Sequence, residues 1–330
     1  MEDKNPESSK EYHEEVVDEK EIEALEKFKI NLKNIIDKKE NPCLNSSILS
    51  DNDSLIHFLR ARKLNIKKST EMILDYFKWK EKINLDNVYL NYELKDKYKL
   101  QLIIPHGFHK VTKDGYPLYF HVMGYFKAEE FFKIGTSDEL TTYATKVIET
   151  LVRDYFKVCS QIKGSYIYGA FGVVDFKGIN SSILGKKFLG YVKALAKLQD
   201  YYPEILVGIN IINAGFLFRT FYTAIKIFID SKTRKKIKVY GEKYQEGLLE
   251  KIDKENIPKF YGGTCECPGG CLYSNEGPWK KKVDTEETIP EDILIKRKEI
   301  NDSMALGKLK ASPEDKIKKD GKIDFETEEL

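Results

Sequence analysis

Apolar side chains recur at helical spacing over residues 17–92. The first helix is predicted within 17–39, where the apolar residues that share one face are Ile22, Leu25, Phe28, Leu32, Ile35 and Ile36. An Asn-Pro pair interrupts this pattern; a second helix is predicted from an N-cap at Asp51 or Asp53, and a third from Ser69. The region 17–92 is therefore predicted to form a small all-helical unit.

After residue 92 the pattern changes, and short apolar runs alternate with longer amphipathic segments. Strands are predicted at 118–123, 166–176, 207–212 and 237–240. Helices are predicted at 137–162, 181–199, 216–229 and 245–252. Alternating strands and helices favour a layered α/β fold with a mixed, largely parallel sheet, which we place in a domain over 93–280.

Both ends of the chain are polar and charged. We predict a mobile tail over 1–16 and a charged C-terminal tail over 281–330, the latter with one helix at 290–298.

The most unusual segment is the apolar run at 216–229, which a cluster of cations follows at once. Those cations are Lys232, Arg234, Lys235, Lys236 and Lys238. As a helix the 14 apolar-rich residues extend about 21 Å, which is too short for the roughly 20 residues that a membrane span needs. An apolar helix beside cations suits a surface that meets lipid tails and anionic headgroups. The alternative is a buried core helix followed by a solvated basic turn.

Composition narrows the class of protein. The net charge of the chain is +2, so we expect no whole-molecule attraction to nucleic acid. The N-terminal residues contain no apolar signal region, and five cysteines in 330 residues fit a reduced compartment. We therefore expect a cytoplasmic protein, and we expect it to be a monomer.

No enzyme signature is found along the chain. The nucleophile elbow, the phosphate-binding loop, the zinc-protease motif and the dinucleotide fingerprint are all missing from the sequence. His106 and His109 lie three residues apart without a carboxylate at a defined spacing, and we interpret them as surface or loop residues. Nothing here favours an enzyme, and we expect no cofactor beyond a bound cargo.

Cys265, Cys267 and Cys271 lie close together in the string TCECPGGC. Structural zinc usually takes four ligands in a pair-and-pair spacing. No second pair follows, and the histidines are far away in the sequence. We interpret the string as a thiol-bearing loop without a metal and leave its role open.

Six strings that occur in order along the chain, taken together, resemble the Sec14-like (CRAL-TRIO) lipid-binding family. They are DNDSLIHFLRARKLNIKKSTEMILDYFKWKEK (51–82), TKDGYPLYF (112–120), VVDFKGI (173–179), LQDYYPEILVGINIINAGFLF (198–218), FIDSKTRKKI (228–237) and IPKFYGGTCECPGGCLYSNEGPW (257–279). The resemblance implies a helical CRAL-TRIO-N unit, then a lipid-binding domain with a mixed sheet, a hydrophobic cavity for one phospholipid, and a helical gate. The chain is most similar to the phosphatidylinositol transfer branch.

Four positions matter for an inositol headgroup, and the resemblance assigns them to Arg62, Glu204, Thr233 and Lys236. The residue types fit the chemistry, because Arg and Lys supply N–H donors to a phosphodiester while Glu and Thr bind hydroxyl groups. One departure is Ile205, which stands where close relatives carry a basic residue.

The same resemblance assigns residues to the gate and to a choline-lipid site. The gate residues are Phe216, Phe218, Phe221, Tyr222, Ile225 and Phe228. At the choline-lipid site Ala170 and Gly172 stand where hydroxyl side chains are expected, Phe108 replaces a tyrosine, and Tyr119 retains one. Because these lost hydroxyl groups remove donors to the phosphate, we expect phosphatidylcholine to bind weakly or in a different pose.

Three functions therefore compete. The first is transfer or presentation of phosphatidylinositol, with a possible second phospholipid, transient membrane contact and a possible lipid kinase as recipient. The second is carriage of a sterol, tocopherol or retinoid; the retained charged residues argue against an uncharged ligand. The third is a lipid-sensing regulatory module.

Overall fold

In a computed structural model the described residues are 18–280 and 289–307. The N-terminal unit contains four helices, α1 (Glu19–Asp37), α2 (Asn52–Ala61), α3 (Ile66–Lys82) and α4 (Leu85–Asn91). The core shared by α1, α2 and α3 includes Phe28, Leu32, Leu55, Leu59 and Ile73. Asp51 caps α2 as predicted, since its side chain accepts a hydrogen bond from the Ser54 amide.

The third helix begins at Ile66 and not at the predicted Ser69. Its N-cap is Asn65, whose side-chain oxygen accepts a hydrogen bond of 3.0 Å from the amide of Lys68. The cap therefore starts the helix one turn earlier than the apolar stripe indicated.

The second region is built on a five-stranded sheet with strand order β1-β2-β3-β4-β5. The strands are β1 (His106–Val111), β2 (Pro117–Val122), β3 (Ala170–Asp175), β4 (Leu206–Ile212) and β5 (Ile237–Val239). The first pair is antiparallel and the other three pairs are parallel. The predicted mixed, largely parallel sheet is thus confirmed, although β1 was not predicted.

Helices cover both faces of this sheet. They are α5 (Lys97–Ile103), α6 (Ala128–Ile134), α7 (Ser137–Thr150), α8 (Phe156–Lys163), α9 (Lys186–Lys197), α10 (Phe216–Ile225), α11 (Ser231–Lys235), α12 (Gln245–Lys251) and α13 (Glu291–Ala305). One core lies between the sheet and α10 and contains Phe126, Ile211 and Phe218. A second core lies on the opposite face of the sheet, because its strand residues alternate with those of the first. It contains Leu118, Phe120 and Leu248. The position of the boundary between the two regions at residues 92–93 stays a prediction.

Two predicted boundaries differ from the structure. The long helix predicted at 137–162 is α7 and α8 joined through a π-helical turn over Leu151–Tyr155. The strand predicted at 166–176 is shorter, because Gly169 has a φ of +127° and ends the extended conformation ahead of Ala170.

The C-terminal segment is not simply a tail. Within the range predicted as one, α13 extends over Glu291–Ala305, beyond the predicted 290–298, and buries Ile293, Arg297, Ile300 and Met304. The Asn301 side chain donates a 3.1 Å hydrogen bond to the Gly269 carbonyl, so α13 is docked on the domain. The predicted tail over 1–16 lies outside the described residues, as do residues 281–288 and 308–330 of the predicted C-terminal tail.

Candidate functional site

A cleft of about 220 Å³ lies where the end of α2, the chain between α9 and β4, and the start of α11 meet. It is lined by all four predicted headgroup residues, Arg62, Glu204, Thr233 and Lys236. These residues come from three separate stretches of sequence, and the fold brings them to one place. Ile205, the departure from the family pattern, also lines the cleft.

Glu204 lines this cleft together with two other acids, Asp200 and Asp230. Its carboxylate accepts hydrogen bonds of 2.9 Å from Nζ of Lys236 and 3.2 Å from Nζ of Lys232. Partial burial raises the pKa of Glu204, but the two ammonium groups outweigh it, so the pKa lies below its ordinary value. The carboxylate is therefore held charged and fixed between two cations.

Sequence reasoning missed Lys232 as a cleft residue. Lys232 and Lys236 are four residues apart in the sequence. Because Lys232 lies in α11 and Lys236 is its C-cap, both side chains lie on the same face of this helix. The signal was Asp230, whose side chain caps α11 through a 2.7 Å hydrogen bond from the Lys232 amide. A capped helix at this point would have distinguished these two lysines from the other cations of the basic run.

Gln199 fixes the loop that joins α10 to this cleft. Its amide nitrogen donates a 2.8 Å hydrogen bond to the Phe228 carbonyl, and its oxygen accepts one of 2.8 Å from the Asp230 amide. The end of the apolar segment and the cleft are thus held together by one side chain.

Arg62 lies on the wall of the cleft and forms an ion pair of 3.4 Å with Asp200. A second cleft of about 340 Å³ begins on the other side of this pair; its lining includes Lys78, Trp79, Lys82 and Lys197. The guanidinium has five N–H donors in a rigid fork, so the pair with Asp200 leaves donors for another anion.

The predicted gate segment is helical, but α10 ends at Ile225 and a single 3-10 turn continues to Phe228. Its inner face is packed: the ring centroids of Phe218 and Phe176 are 4.7 Å apart, and those of Phe221 and Phe188 are 6.2 Å apart. Tyr222 and Ile225 are also buried. The inner face of α10 is therefore closed onto the core.

The outer face of the same segment is different in character. Phe216 is 41% exposed and Ile227 is 72% exposed, with the cations Arg219 and Lys226 also on the surface. Among the described residues, no helix is both long enough and apolar enough to cross a membrane. The packed inner face agrees with the interpretation of this segment as a buried core helix, while contact of the exposed face with lipid stays a prediction.

The residues predicted for the choline-lipid site are neighbours in the sheet. Phe108 and Ala170 pack in a cluster with Trp279, apart from the gate cluster. Phe108 pairs across the strands with Tyr119, and their ring centroids are 4.9 Å apart. Gly172 lies opposite Tyr119 in the parallel register, and a Cβ atom there would come within 3.0 Å of Ile209. A hydroxyl side chain at residue 172 would therefore crowd the neighbouring strand.

The interpretation of His106 and His109 as surface or loop residues is wrong. Both lie on β1, with exposed fractions of 7% and 0%. Although the histidines are far from the cysteine loop in the sequence, the fold places His109 beside Cys265, Cys267 and Cys271. Strand β1 pairs at the edge of the sheet and brings the histidine to a loop that is distant in sequence.

Comparison with known proteins identifies the family to which this fold belongs. The family model of the CRAL/TRIO domain matches residues 104–263. The Sec14 cytosolic factor of Schizosaccharomyces pombe is 33% identical over 232 residues, which are 70% of this chain and 81% of that protein. The chain belongs to the CRAL/TRIO family of Sec14-like proteins.

Two further relatives extend the comparison. The phosphatidylinositol/phosphatidylcholine transfer protein SFH11 of Arabidopsis thaliana is 32% identical over 249 residues, which are 73% of this chain and 66% of SFH11. The crystal structure of Sfh5 matches with a TM-score of 0.59 at 19% identity, covering 86% of this chain and 98% of Sfh5. That structure supports the fold alone.

Proposed function

We propose that this protein transfers or presents phosphatidylinositol and is not an enzyme. One observation carries the proposal: Arg62, Glu204, Thr233 and Lys236 line a single cleft. The end of the apolar gate segment is tied to that cleft through Gln199. A headgroup site beside an apolar helix is the arrangement that a two-tailed phospholipid needs. The relatives named as phosphatidylinositol/phosphatidylcholine transfer proteins support the same function.

Binding of the headgroup would exchange partners that already exist in the cleft. Lys236 and Lys232 now contact Glu204, and Arg62 pairs with Asp200, so with Asp230 the lining carries three cations and three carboxylates. A phosphodiester entering here would compete with Glu204 for the ammonium N–H donors, while Glu204 would accept hydrogen bonds from inositol hydroxyl groups. Thr233 would supply a hydroxyl at the same rim. The ion pairs therefore preorganise the cleft without filling it.

Two interior side chains support a space for the acyl chains. Burial, with a further contribution from His106, lowers the pKa of His121 to about 3, and burial raises the pKa of Tyr119. Both side chains nevertheless keep accessible surface, being only half-buried. We infer that these two side chains border an internal space. Such a space must be apolar and closed to water, because each CH₂ group moved out of water is worth about 0.8 kcal/mol.

The gate would then open only at a bilayer. Phe216 and Ile227 supply exposed apolar surface, and the neighbouring cations suit anionic headgroups. Contact with the membrane would be peripheral and transient, and a cytoplasmic location stays a prediction. A lipid kinase as recipient is compatible with this scheme, as is a regulatory role for the loaded protein.

The decisive test is Lys236→Ala in a vesicle-to-vesicle transfer assay with labelled phosphatidylinositol. We expect transfer to fall about tenfold or more, because a charge-assisted contact worth about 1.5–3 kcal/mol is lost. The matched control is Lys238→Ala, which removes a lysine that is 51% exposed and pairs with Glu250 outside the cleft. Equal transfer by both variants would contradict the headgroup assignment. Transfer of a sterol, tocopherol or retinoid in its place would favour the uncharged-ligand class.

Phosphatidylcholine should be a poor cargo. Ala170 and Gly172 supply no hydroxyl donor, and Ile209 leaves no room for a larger side chain at 172. We expect mass spectrometry of lipids extracted from protein loaded on mixed vesicles to find phosphatidylinositol enriched over phosphatidylcholine relative to the vesicles. Phosphatidylcholine in equal or greater enrichment would contradict this expectation.

A further inference from the structure

Three cysteines and one histidine converge on the face of the domain that carries α13. One ligand atom from each of His109, Cys265, Cys267 and Cys271 lies within 4.8 Å of every other. The sulfur atoms of Cys265 and Cys267 are 3.7 Å apart. Histidine and cysteine in this combination, Cys₃His, form a common structural zinc set.

The spacing of the sulfur atoms fits a tetrahedral ion. Zinc–sulfur bonds of about 2.3 Å in a tetrahedron place two sulfur atoms about 3.8 Å apart. A disulfide would instead require about 2.05 Å between the sulfur atoms and would use only two of the three thiols. All three cysteines are free thiols in the structure.

His109 provides an independent indication of a ligand. Its side chain is 0% exposed, yet Nε2 has no hydrogen-bond partner among the described residues. Buried polar atoms are rarely left unpaired, so this nitrogen calls for an explanation. The other ring nitrogen, Nδ1, lies 3.4 Å from Oγ of Ser274. A proton on Nδ1 directed to this hydroxyl leaves the lone pair of Nε2 for a metal, which is the usual arrangement around a ligating histidine.

The backbone places the thiols before any ion arrives. Cys265 is held on both sides, since its amide donates to the Ile257 carbonyl and its carbonyl accepts from the Lys259 amide. The turn from Cys267 to Cys271 is closed by a 2.9 Å hydrogen bond from the Gly270 amide to the Cys267 carbonyl. Gly269 and Gly270 in this turn have φ values of +75° and +94°, which favour glycine.

We propose that His109, Cys265, Cys267 and Cys271 bind one structural zinc ion. Four protein ligands close the coordination sphere, so the ion has no open position for catalysis. It would tie the cysteine loop to strand β1. Since Asn301 of α13 hydrogen-bonds the Gly269 carbonyl inside that loop, the ion would also support the docking of α13. This site is separate from the cleft that contains Glu204 and does not depend on the proposed lipid function.

The test uses the full chain, purified under reducing conditions, stripped of metal and titrated with Zn²⁺ or Co²⁺ alone. We expect about one equivalent of metal per chain by mass spectrometry of the metal content. The Co²⁺ form should show thiolate-to-cobalt charge transfer and the visible bands of tetrahedral cobalt. A chelator should lower the melting temperature of the zinc-bound protein.

Two serine variants make the test specific. Cys267→Ser removes the one partly exposed thiol of the set and is the variant least able to disturb packing. It should weaken zinc binding at least tenfold and abolish the effect of the chelator. Cys43→Ser removes another partly exposed thiol, which contacts Glu81 in the N-terminal unit. It should leave the zinc affinity and the effect of the chelator unchanged. Circular dichroism checks that both variants fold.

Three results would overturn the proposal. The first is a reduced, folded chain that takes up neither metal. The second is a native disulfide among the three cysteines, found by alkylation and peptide mass spectrometry. The third is equal zinc affinity in the wild-type chain and Cys267→Ser.

Discussion

At the scale of single residues, the cleft depends on how Glu204 is held. This residue has a φ of +62°, an unusual value for a side chain other than glycine. The two lysines that contact its carboxylate are themselves positioned by α11. Backbone strain at a residue that several contacts over-determine is typical of a functional position. The geometry thus supports a role for Glu204 beyond that of a surface ion pair.

The ion pairs of Glu204 predict a pH dependence of stability. The pKa of Glu204 in the folded chain is lowered from an ordinary value of 4.5. A lowered carboxyl pKa contributes stability that is present above the unfolded pKa and is lost as the pH falls through the folded one. Glu204→Gln should therefore be less stable than wild type at pH 7, by about 1 kcal/mol because the pairs are partly exposed.

The measurement is the free energy of unfolding in denaturant as a function of pH. The difference in the free energy of unfolding between wild type and Glu204→Gln should stay constant down to a pH of about 4.5, which is the pKa of this carboxyl group in the unfolded chain. The difference should disappear only below that pH. A gap that closes between pH 7 and 5 would contradict the assignment. Glu250→Gln serves as control, because Glu250 pairs with Lys238 outside the cleft.

The sequence allowed four residues of the cleft to be predicted, but not their partners. Arg62, Glu204, Thr233 and Lys236 follow from short strings that resemble a family. The pairing of Arg62 with Asp200 and the contribution of Lys232 depend on how the end of α2 and the start of α11 approach the chain between α9 and β4. Contacts between segments that are far apart in sequence leave no periodic signal, so they become visible only in the fold.

At the scale of elements, α10 and the 3-10 turn that follows it combine two surfaces. The inner aromatic residues of α10 pack on Phe176 and Phe188, while Phe216 of α10 and Ile227 of the turn are exposed. Apolar periodicity predicted the helix but overestimated its length, because the 3-10 turn at Lys226–Phe228 is also apolar. The short strand β1, whose sequence is HGFHKV, gave no clear alternation and was missed.

The two surfaces of α10 should respond differently to mutation. The double variant Phe216→Ser, Ile227→Ser should reduce binding to anionic vesicles and lipid transfer, because it removes exposed apolar surface. Its stability should stay within about 0.5 kcal/mol of wild type. Phe221→Ala on the inner face should instead cost about 3–5 kcal/mol of stability, measured by denaturant unfolding. Unchanged vesicle binding by the double variant would contradict the gate assignment.

At the scale of the whole molecule, the two faces of the sheet pack against different elements. The α10 core lies on one side, and α12, α13 and the cysteine loop lie on the other. Opening of the gate would therefore leave the packing on the far side of the sheet undisturbed. A rigid far face is what a carrier needs if one wall is to move while the sheet stays folded.

The docking of α13 also shows why the sequence did not predict the structure of the C-terminal region. Lys, Glu and Asp dominate residues 281–330, and composition therefore indicated a tail. Within this charged region, one narrow stripe of α13 is buried. It consists of Ile293, Arg297, Ile300 and Met304. Arg297 hydrogen-bonds Gln101 on α5, and its guanidinium lies 4.8 Å from the ring centroid of Tyr273. A stripe that includes a buried arginine is hidden from any hydrophobic pattern.

Docking of α13 predicts that a residue in the predicted tail matters to global stability. Ile293 is 4% exposed, and Ile295 on the same helix is 53% exposed. Ile293→Ala should lower the free energy of unfolding by about 2–5 kcal/mol, because it leaves a cavity against the domain. Ile295→Ala has the same change in helix propensity and side-chain volume, and it should stay within about 0.5 kcal/mol of wild type. If both variants unfolded at the same denaturant concentration as wild type, α13 would not be part of the folded domain. A loss of stability in Ile293→Ala alone would show that α13 is part of it.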